Sequence, residues 1–176
     1  MLLLNTYSGQ ELTGWLMSEK LDGWRARWDG SRLLTRSGSI IEAPDWFLDG
    51  LPDGVVLDGE LFAGRGNRMS VQSACQRRCP IDSEWAGIVF SAFDAPEWYG
   101  DFEARSRYLS EFSPTDSLRI VEQIRIGSHG DAVGFYQHII ESGGEGAVFR
   151  SPAGLYVDRR DPLSLKCKPG EGGECL

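Results

Sequence analysis

Hydrophobic and polar positions alternate with a period of two along much of the chain, which is the pattern of half-buried β-strands. Trp24, Ala26 and Trp28 alternate with charged residues, and the Asp29-Gly30 dipeptide after them is typical of a hairpin turn. The pattern predicts strands over 15–17, 24–28, 33–35, 55–62, 88–93, 118–126, 146–150 and 163–168. It predicts helices over 45–48, 69–77, 102–112 and 132–142.

These strands and helices are interspersed, so the sequence indicates an α+β fold with antiparallel sheets flanked by helices. The chain has 176 residues, of which 41% are hydrophobic, and this is enough for one domain with a real core. The longest apolar run near its start, Leu2 to Leu4, is too short for a signal peptide or a membrane span. We therefore expect a soluble, cytoplasmic protein with no membrane partner.

The balance of charges limits the partners that this chain can bind. Its net charge is −8, so binding of DNA or RNA would require a local basic face on the protein. Of its 18 basic residues 15 are arginines and only three are lysines, at positions 20, 166 and 168, and this scarcity favours a specific role for each lysine. Among four cysteines only Cys75 and Cys79 are spaced like a zinc-binding pair, so reduced cysteines are the better interpretation.

Several short segments place charged side chains where catalysis would use them. Lys20 is followed by an acid, a turn glycine and Arg25, which is typical either of a nucleophilic amine beside a phosphate or of an ordinary surface turn. Asp58 and Glu60 lie in an apolar strand, where buried acids need a partner. The last two lysines are two residues apart, share a strand face and imply an anion beside them. Neither a Walker A loop nor a GxGxxG turn is present.

Six short segments that carry charged or aromatic side chains follow one another along the chain. They read KLDGWR, LLTRSG, LDGELF, FSAFD, EGAVFR and LKCKP. Together they resemble the nucleotidyltransferase (adenylation) core of the ATP-dependent DNA ligases, and most of all that of the small bacterial and phage ligases. The resemblance spans about residues 12–169, and it implies an ATP-grasp-like covalent nucleotidyltransferase fold.

The resemblance implies the catalytic and metal-binding residues. Lys20 would attack the α-phosphate of ATP and carry AMP as a phosphoramidate. Lys166 and Lys168 would hold that phosphate. Glu145 and Glu60 would place Mg²⁺ or Mn²⁺.

It also implies how nucleotide and DNA are bound. Phe93 would stack on adenine, Glu60 would contact the ribose, and Arg25 would hold the nucleotide side of the pocket. Arg25 and Arg36 would contact phosphates of the nicked DNA. Arg65, which follows the LDGELF segment, is predicted either to contact DNA phosphates or to lie in an ordinary solvated loop.

The resemblance further implies the domain organisation and the partners. Residues 1–169 are predicted to form the nucleotidyltransferase domain, and 170–176 to begin a hinge to an OB-fold domain that this sequence lacks. We expect a monomer that acts on nicked double-stranded DNA. An RNA ligase, a capping-type nucleotidyltransferase and a non-catalytic module that binds nucleotide or nicked DNA remain alternatives.

Overall fold

Strands and short helices alternate along the chain, of which the computed structural model describes residues 1–171 and 175–176. The strands are β1 (Leu3–Thr6), β2 (Leu16–Glu19), β3 (Trp24–Trp28), β4 (Leu33–Leu34), β5 (Ile40–Ile41), β6 (Leu57–Phe62), β7 (Val89–Asp94), β8 (Leu118–Ile120), β9 (Ile124–Arg125), β10 (Ala147–Arg150) and β11 (Arg160–Cys167). The helices are α1 (Asp45–Asp49), α2 (Arg68–Cys75), α3 (Asp82–Trp85), α4 (Phe102–Leu109) and α5 (His129–Glu141). Within this described part, the helices fall short of the length and apolar character that a membrane crossing requires.

The chain folds as two compact units, and unit 1 comprises Met1–Leu21, Gly100–Ala104 and Glu122–Leu176. Its described strands form one sheet in the order β1-β11-β10-β2-β9. Helix α5 contributes Ala132, Tyr136 and Ile139 to the core of this unit, where they lie with strand residues such as Phe149 and Leu165. The spacing of these three helix residues is that of one helical face, which explains why the segment packs as an amphipathic helix.

Unit 2 comprises Asp22–Tyr99 and Arg105–Val121. Its described strands form a second sheet in the order β5-β4-β3-β6-β7-β8. Ala26 and Trp28 of β3 are buried in its core with Phe47 and Trp85 from the helices, so the alternation in β3 places one face of the strand inside. Opposite charges also lie inside this unit, because Arg105 of α4 donates to buried Asp94 at the end of β7 over 2.7 Å.

The α+β class that the sequence predicts is confirmed, but the sheets are mixed rather than purely antiparallel. Strand β1 runs parallel to β11, and β7 runs parallel to β8. The prediction missed β1, because the Leu2–Leu4 run is short and pairs only with a strand more than 150 residues away. It also missed α3, a single turn that periodicity does not reveal.

The single strand predicted over 118–126 is wrong. The segment forms β8 in the sheet of unit 2 and β9 in the sheet of unit 1. The backbone N–H of Val121 still donates to the carbonyl of Ala92 in β7, and the polar Glu122 and Gln123 then separate the two strands. Periodicity alone did not reveal this break, because apolar residues continue at Ile124 and Ile126.

Candidate active site

Three predicted site residues stand at one end of three adjacent strands in unit 1. Lys20 follows the last residue of β2, Glu145 stands two residues before β10 begins, and Lys168 follows the last residue of β11. Ala147, the first residue of β10, is the Cα partner of the last residues of both β2 and β11. The N–H of Lys20 also donates to the carbonyl of Gly146 over 2.8 Å. The antiparallel register therefore gathers residues that are up to 148 positions apart in the chain.

Glu145 is the carboxylate around which this end of the sheet is organised. Nζ of Lys20 donates to both of its oxygens at 2.8 Å, and Nζ of Lys168 lies 3.7 Å from Oε1. The side chains of Lys20 and Glu145 are only 22% and 20% exposed, so solvent screens this pair incompletely. In this arrangement both oxygens of Glu145 hold Nζ of Lys20 in place.

Glu171 joins the other two lysines. Its Oε2 lies 2.5 Å from Nζ of Lys166, and its Oε1 lies 2.9 Å from Nζ of Lys168. The ammonium of Lys166 and then that of Lys168 lower the pKa of the Glu171 carboxyl to about 2. The hydrogen bond to Glu171 raises the pKa of Lys168 in turn. The sequence predicted an anion beside this lysine pair, but sequence reasoning missed that the chain itself supplies one.

Arg25 and Phe93 form a second group, which lies in unit 2. The Arg25 guanidinium donates through Nε and Nη2 to the two carboxylate oxygens of Asp58, each over 2.7 Å. Its Cζ lies 4.9 Å from the centroid of the Phe93 ring, which is cation–π distance. Asp58 is fully buried, so Arg25 supplies the partner that the acid in this apolar strand requires. The position of Arg25 is therefore fixed on both sides.

Glu60 lies beside the glycine of the KLDGWR segment, also in unit 2. Its Oε1 accepts a hydrogen bond from the N–H of Gly23 over 3.2 Å. A Cβ on Gly23 would lie 2.1 Å from the carbonyl oxygen of Leu61, so only glycine fits this close approach of two backbones. Glu60 thus holds the turn that precedes Arg25.

Comparisons with known proteins give the family. No protein-family model matches the chain. The DNA ligase of Haemophilus influenzae is 35% identical over 178 residues, which cover 99% of this chain and 65% of that protein. A solved structure from a structure-function study of Lig E DNA ligases is 31% identical, with a TM-score of 0.87, and the match covers 96% of this chain and 68% of that one. The chain belongs to the DNA ligase family.

A more distant ligase shares the fold. The crystal structure of a chlorella virus DNA ligase-adenylate superposes with a TM-score of 0.75 at 20% identity, covering 95% of this chain and 66% of that one. This ligase chain therefore spans about two thirds of the length of each of these relatives, and 65% of the one from Haemophilus influenzae.

The two remaining predicted site residues of the ligase, both arginines, are exposed. Arg36 lies in the turn between β4 and β5, and Arg65 lies in the loop between β6 and α2. Their DNA contacts stay predictions. So does the hinge over 170–176, because residues 172–174 lie outside the described part of the chain.

The carboxylates of the ligase allow a test of the predicted Mg²⁺ or Mn²⁺. Among the described residues, no three His, Cys, Asp or Glu side chains come together as a ready-made metal cage. Mg²⁺ is commonly held by one or two carboxylates together with water and substrate phosphates. Glu145, a single carboxylate beside Lys20 and Lys168, fits this kind of site.

Proposed function

We propose that the chain is the nucleotidyltransferase core of an ATP-dependent DNA ligase. The observation that carries this proposal is the meeting of Lys20, Glu145 and Lys168 at the ends of β2, β10 and β11. Nucleotidyl transfer to a lysine requires an amine nucleophile, a carboxylate and a second cation close together, and this sheet edge carries all three. Family membership makes ATP and nicked DNA the proposed substrates.

In the first step Nζ of Lys20 attacks the α-phosphorus of ATP. The Lys20 ammonium first gives up one proton to solvent. A P–N bond then forms as the bond to the β,γ-pyrophosphate breaks, and the attacking nitrogen loses a second proton to solvent. Lys20 must first leave Glu145, because it is held there by two hydrogen bonds. Lys166 and Lys168 are proposed to neutralise the α-phosphate, and such charge neutralisation is the main catalytic contribution in phosphoryl-type transfers.

In the following steps the lysine is restored. A 5′-phosphate oxygen of the nick attacks the phosphorus of lysyl-AMP, so that AMP leaves Lys20 and a DNA-adenylate forms. The 3′-hydroxyl of the nick then attacks the 5′-phosphorus, which seals the strand and releases AMP. Arg36 and Arg65 are proposed to hold the DNA phosphates, and Phe93 and Arg25 to bind the nucleotide, with the Phe93 ring as the stacking surface.

A divalent cation has a defined place in this proposal. Held by Glu145, it would neutralise phosphate charge and draw the carboxylate away from Lys20. Glu60, which accepts from the backbone of Gly23, is proposed as a further ligand or as the ribose contact. Because ATP and DNA are both available in the cytoplasm of a prokaryotic cell, we propose the cytoplasm as the location of the protein, and we expect it to act as a monomer.

Detection of a covalent AMP adduct on Lys20 tests this proposed function. After incubation with ATP and Mg²⁺, intact-mass spectrometry is expected to show one AMP per chain, and peptide mapping to place it on Lys20. Lys20→Arg keeps the charge but cannot form the phosphoramidate, so it should lose the adduct completely. GTP in place of ATP tests the capping-type alternative, and an unmodified wild-type chain would point to the non-catalytic module.

A pre-adenylated nick separates the steps. Lys20→Arg should still seal DNA that already carries 5′-AMP, because that last step does not use the Lys20 amine. A Lys20→Arg variant that has lost both activities would indicate that the substitution disturbs the site as a whole. Sealing of a nick whose 5′-phosphate strand is RNA, compared with sealing of the all-DNA nick, tests the RNA-ligase alternative.

A further inference from the structure

Glu171 is placed against Lys166 and Lys168 by the local sequence. Strand β11 ends at Cys167, and the residues Lys168-Pro169-Gly170-Glu171 then form a tight turn. Gly170 has the positive φ, +80°, that the third position of a type II turn requires, and proline is common at the second position of such a turn. The N–H of Glu171 lies 3.4 Å from the carbonyl oxygen of Lys168, so the glutamate returns over the strand it has just left.

The contacts of Glu171 are those that a phosphate would make. Each carboxylate oxygen faces one ammonium, at 2.5 Å and 2.9 Å. Phosphate and carboxylate oxygens use the same cationic donors, and both are bound through short, charge-assisted hydrogen bonds. The Glu171 side chain is only 36% exposed, which limits its screening by solvent.

We infer that Glu171 is an internal anion that occupies the phosphate-binding position of Lys166 and Lys168, so that nucleotide phosphate binds there only by displacing it. The inference rests on the proposed function, which assigns the α-phosphate of ATP to these two lysines. Glu171 thereby balances the charge of the two ammoniums in the absence of nucleotide, and it weakens the apparent affinity of the pair for any competing anion.

The direction of the effect distinguishes this role from a positioning role. If Glu171 competes with phosphate, its neutral isostere binds phosphate more tightly. If Glu171 instead holds the lysines in the geometry that phosphate needs, the same isostere binds phosphate more weakly.

The test is calorimetric titration with inorganic pyrophosphate, without divalent metal and at low salt. We expect Glu171→Gln to bind pyrophosphate about three- to tenfold more tightly than the wild type, which is the range for loss of two partly exposed ion pairs. Glu141→Gln is the matched control, since Glu141 is an exposed glutamate at the end of α5 and the substitution changes the net charge equally. Glu141→Gln should leave the pyrophosphate affinity within about twofold of the wild type.

An unchanged or weaker affinity of Glu171→Gln for pyrophosphate overturns the inference. An equal gain in Glu141→Gln overturns it as well, because the effect would then be one of net charge. The titration needs no adenylation, so failure of the proposed function has a separate readout, the absence of AMP on Lys20. In a chain that adenylates, the KM for ATP of Glu171→Gln should fall by the same factor as the pyrophosphate dissociation constant.

Discussion

Each of the three lysines of this chain has a carboxylate partner in the structure. Lys20 is held by Glu145, Lys166 is held by Glu171, and Lys168 lies within reach of both acids. The result is a line of alternating charges in unit 1, in which the two acids lie between the three ammoniums. A phosphate that binds to these lysines therefore exchanges one anion for another rather than filling an empty position.

The titration of Glu171 should report this arrangement directly. Its pKa of about 2 in the folded chain lies below the ordinary glutamate value of ~4.3. The ion pairs therefore contribute fully to the stability of the folded state at pH values above ~4.3, and this contribution is lost as the pH falls through about 2. We expect the carboxyl carbon resonance of Glu171 to show an ionised group at about pH 3 in the folded protein.

The controls for this titration are the wild-type chain unfolded in urea and the folded Lys166→Ala/Lys168→Ala double variant. In both the Glu171 midpoint should return toward ~4.3, since the two ammoniums are its partners only in the intact folded chain. A midpoint near the ordinary value in the folded wild type would show that the lysines do not hold Glu171.

At the scale of secondary-structure elements, the site depends on how closely strands and turns approach one another. The turn before β3 passes within contact distance of the backbone of β6, and Gly23 is the residue at that approach. Its N–H is also the donor to Glu60, so the packing of two elements and the position of a predicted site residue depend on the same glycine.

Gly23→Ala is expected to destabilise the protein by about 1–3 kcal/mol, the usual cost of forcing an extra methyl group into a packed position. The added Cβ would lie 2.1 Å from the carbonyl oxygen of Leu61, and a backbone atom cannot move aside as a side chain does. Urea unfolding followed by tryptophan fluorescence measures the change.

Gly87→Ala provides the matched control. A Cβ at Gly87 would have no heavy atom within 4 Å, so this variant should stay within about 0.5 kcal/mol of the wild type. Equal unfolding curves for both variants would contradict the close approach at Gly23.

At the scale of the whole molecule, the net charge of −8 opposes binding to DNA. Any DNA contact must then come from a local group of arginines, and Arg36 and Arg65 are exposed candidates on unit 2. The acidic balance of the whole chain predicts that such binding is weak and depends steeply on salt.

Arg36→Ala and Arg65→Ala should each weaken binding to a nicked duplex and lower the slope of log K against log salt by about 1. Arg107→Ala, which removes an exposed arginine of α4, changes the net charge equally and should leave the slope unchanged. Fluorescence anisotropy over a series of salt concentrations measures all three. Identical slopes for the three variants would show that Arg36 and Arg65 do not contact phosphate.

Much of the fold follows from the sequence alone, and the sequence also singles out residues that the structure brings together in unit 1. Alternation in β3, the proline that opens α1 and the spacing of apolar residues in α5 are local features, which neighbouring residues determine. The order of six short segments predicted the DNA ligase family, which the comparisons confirmed. The turn at Pro169-Gly170 is local as well, and it was the one available signal for the position of Glu171.

The tertiary structure decided what depends on residues far apart in the chain. No periodic signal in the sequence indicates the parallel pairing of β1 with β11 or the contact of Lys20 with Glu145. The same holds for the division of 118–126 between two sheets. The physical reason is that strand register and ion-pair partners depend on which faces pack together. Local propensity predicts whether each segment forms a strand or a helix. Only the assembled sheet brings the amine, the carboxylates and the second cation to the same edge.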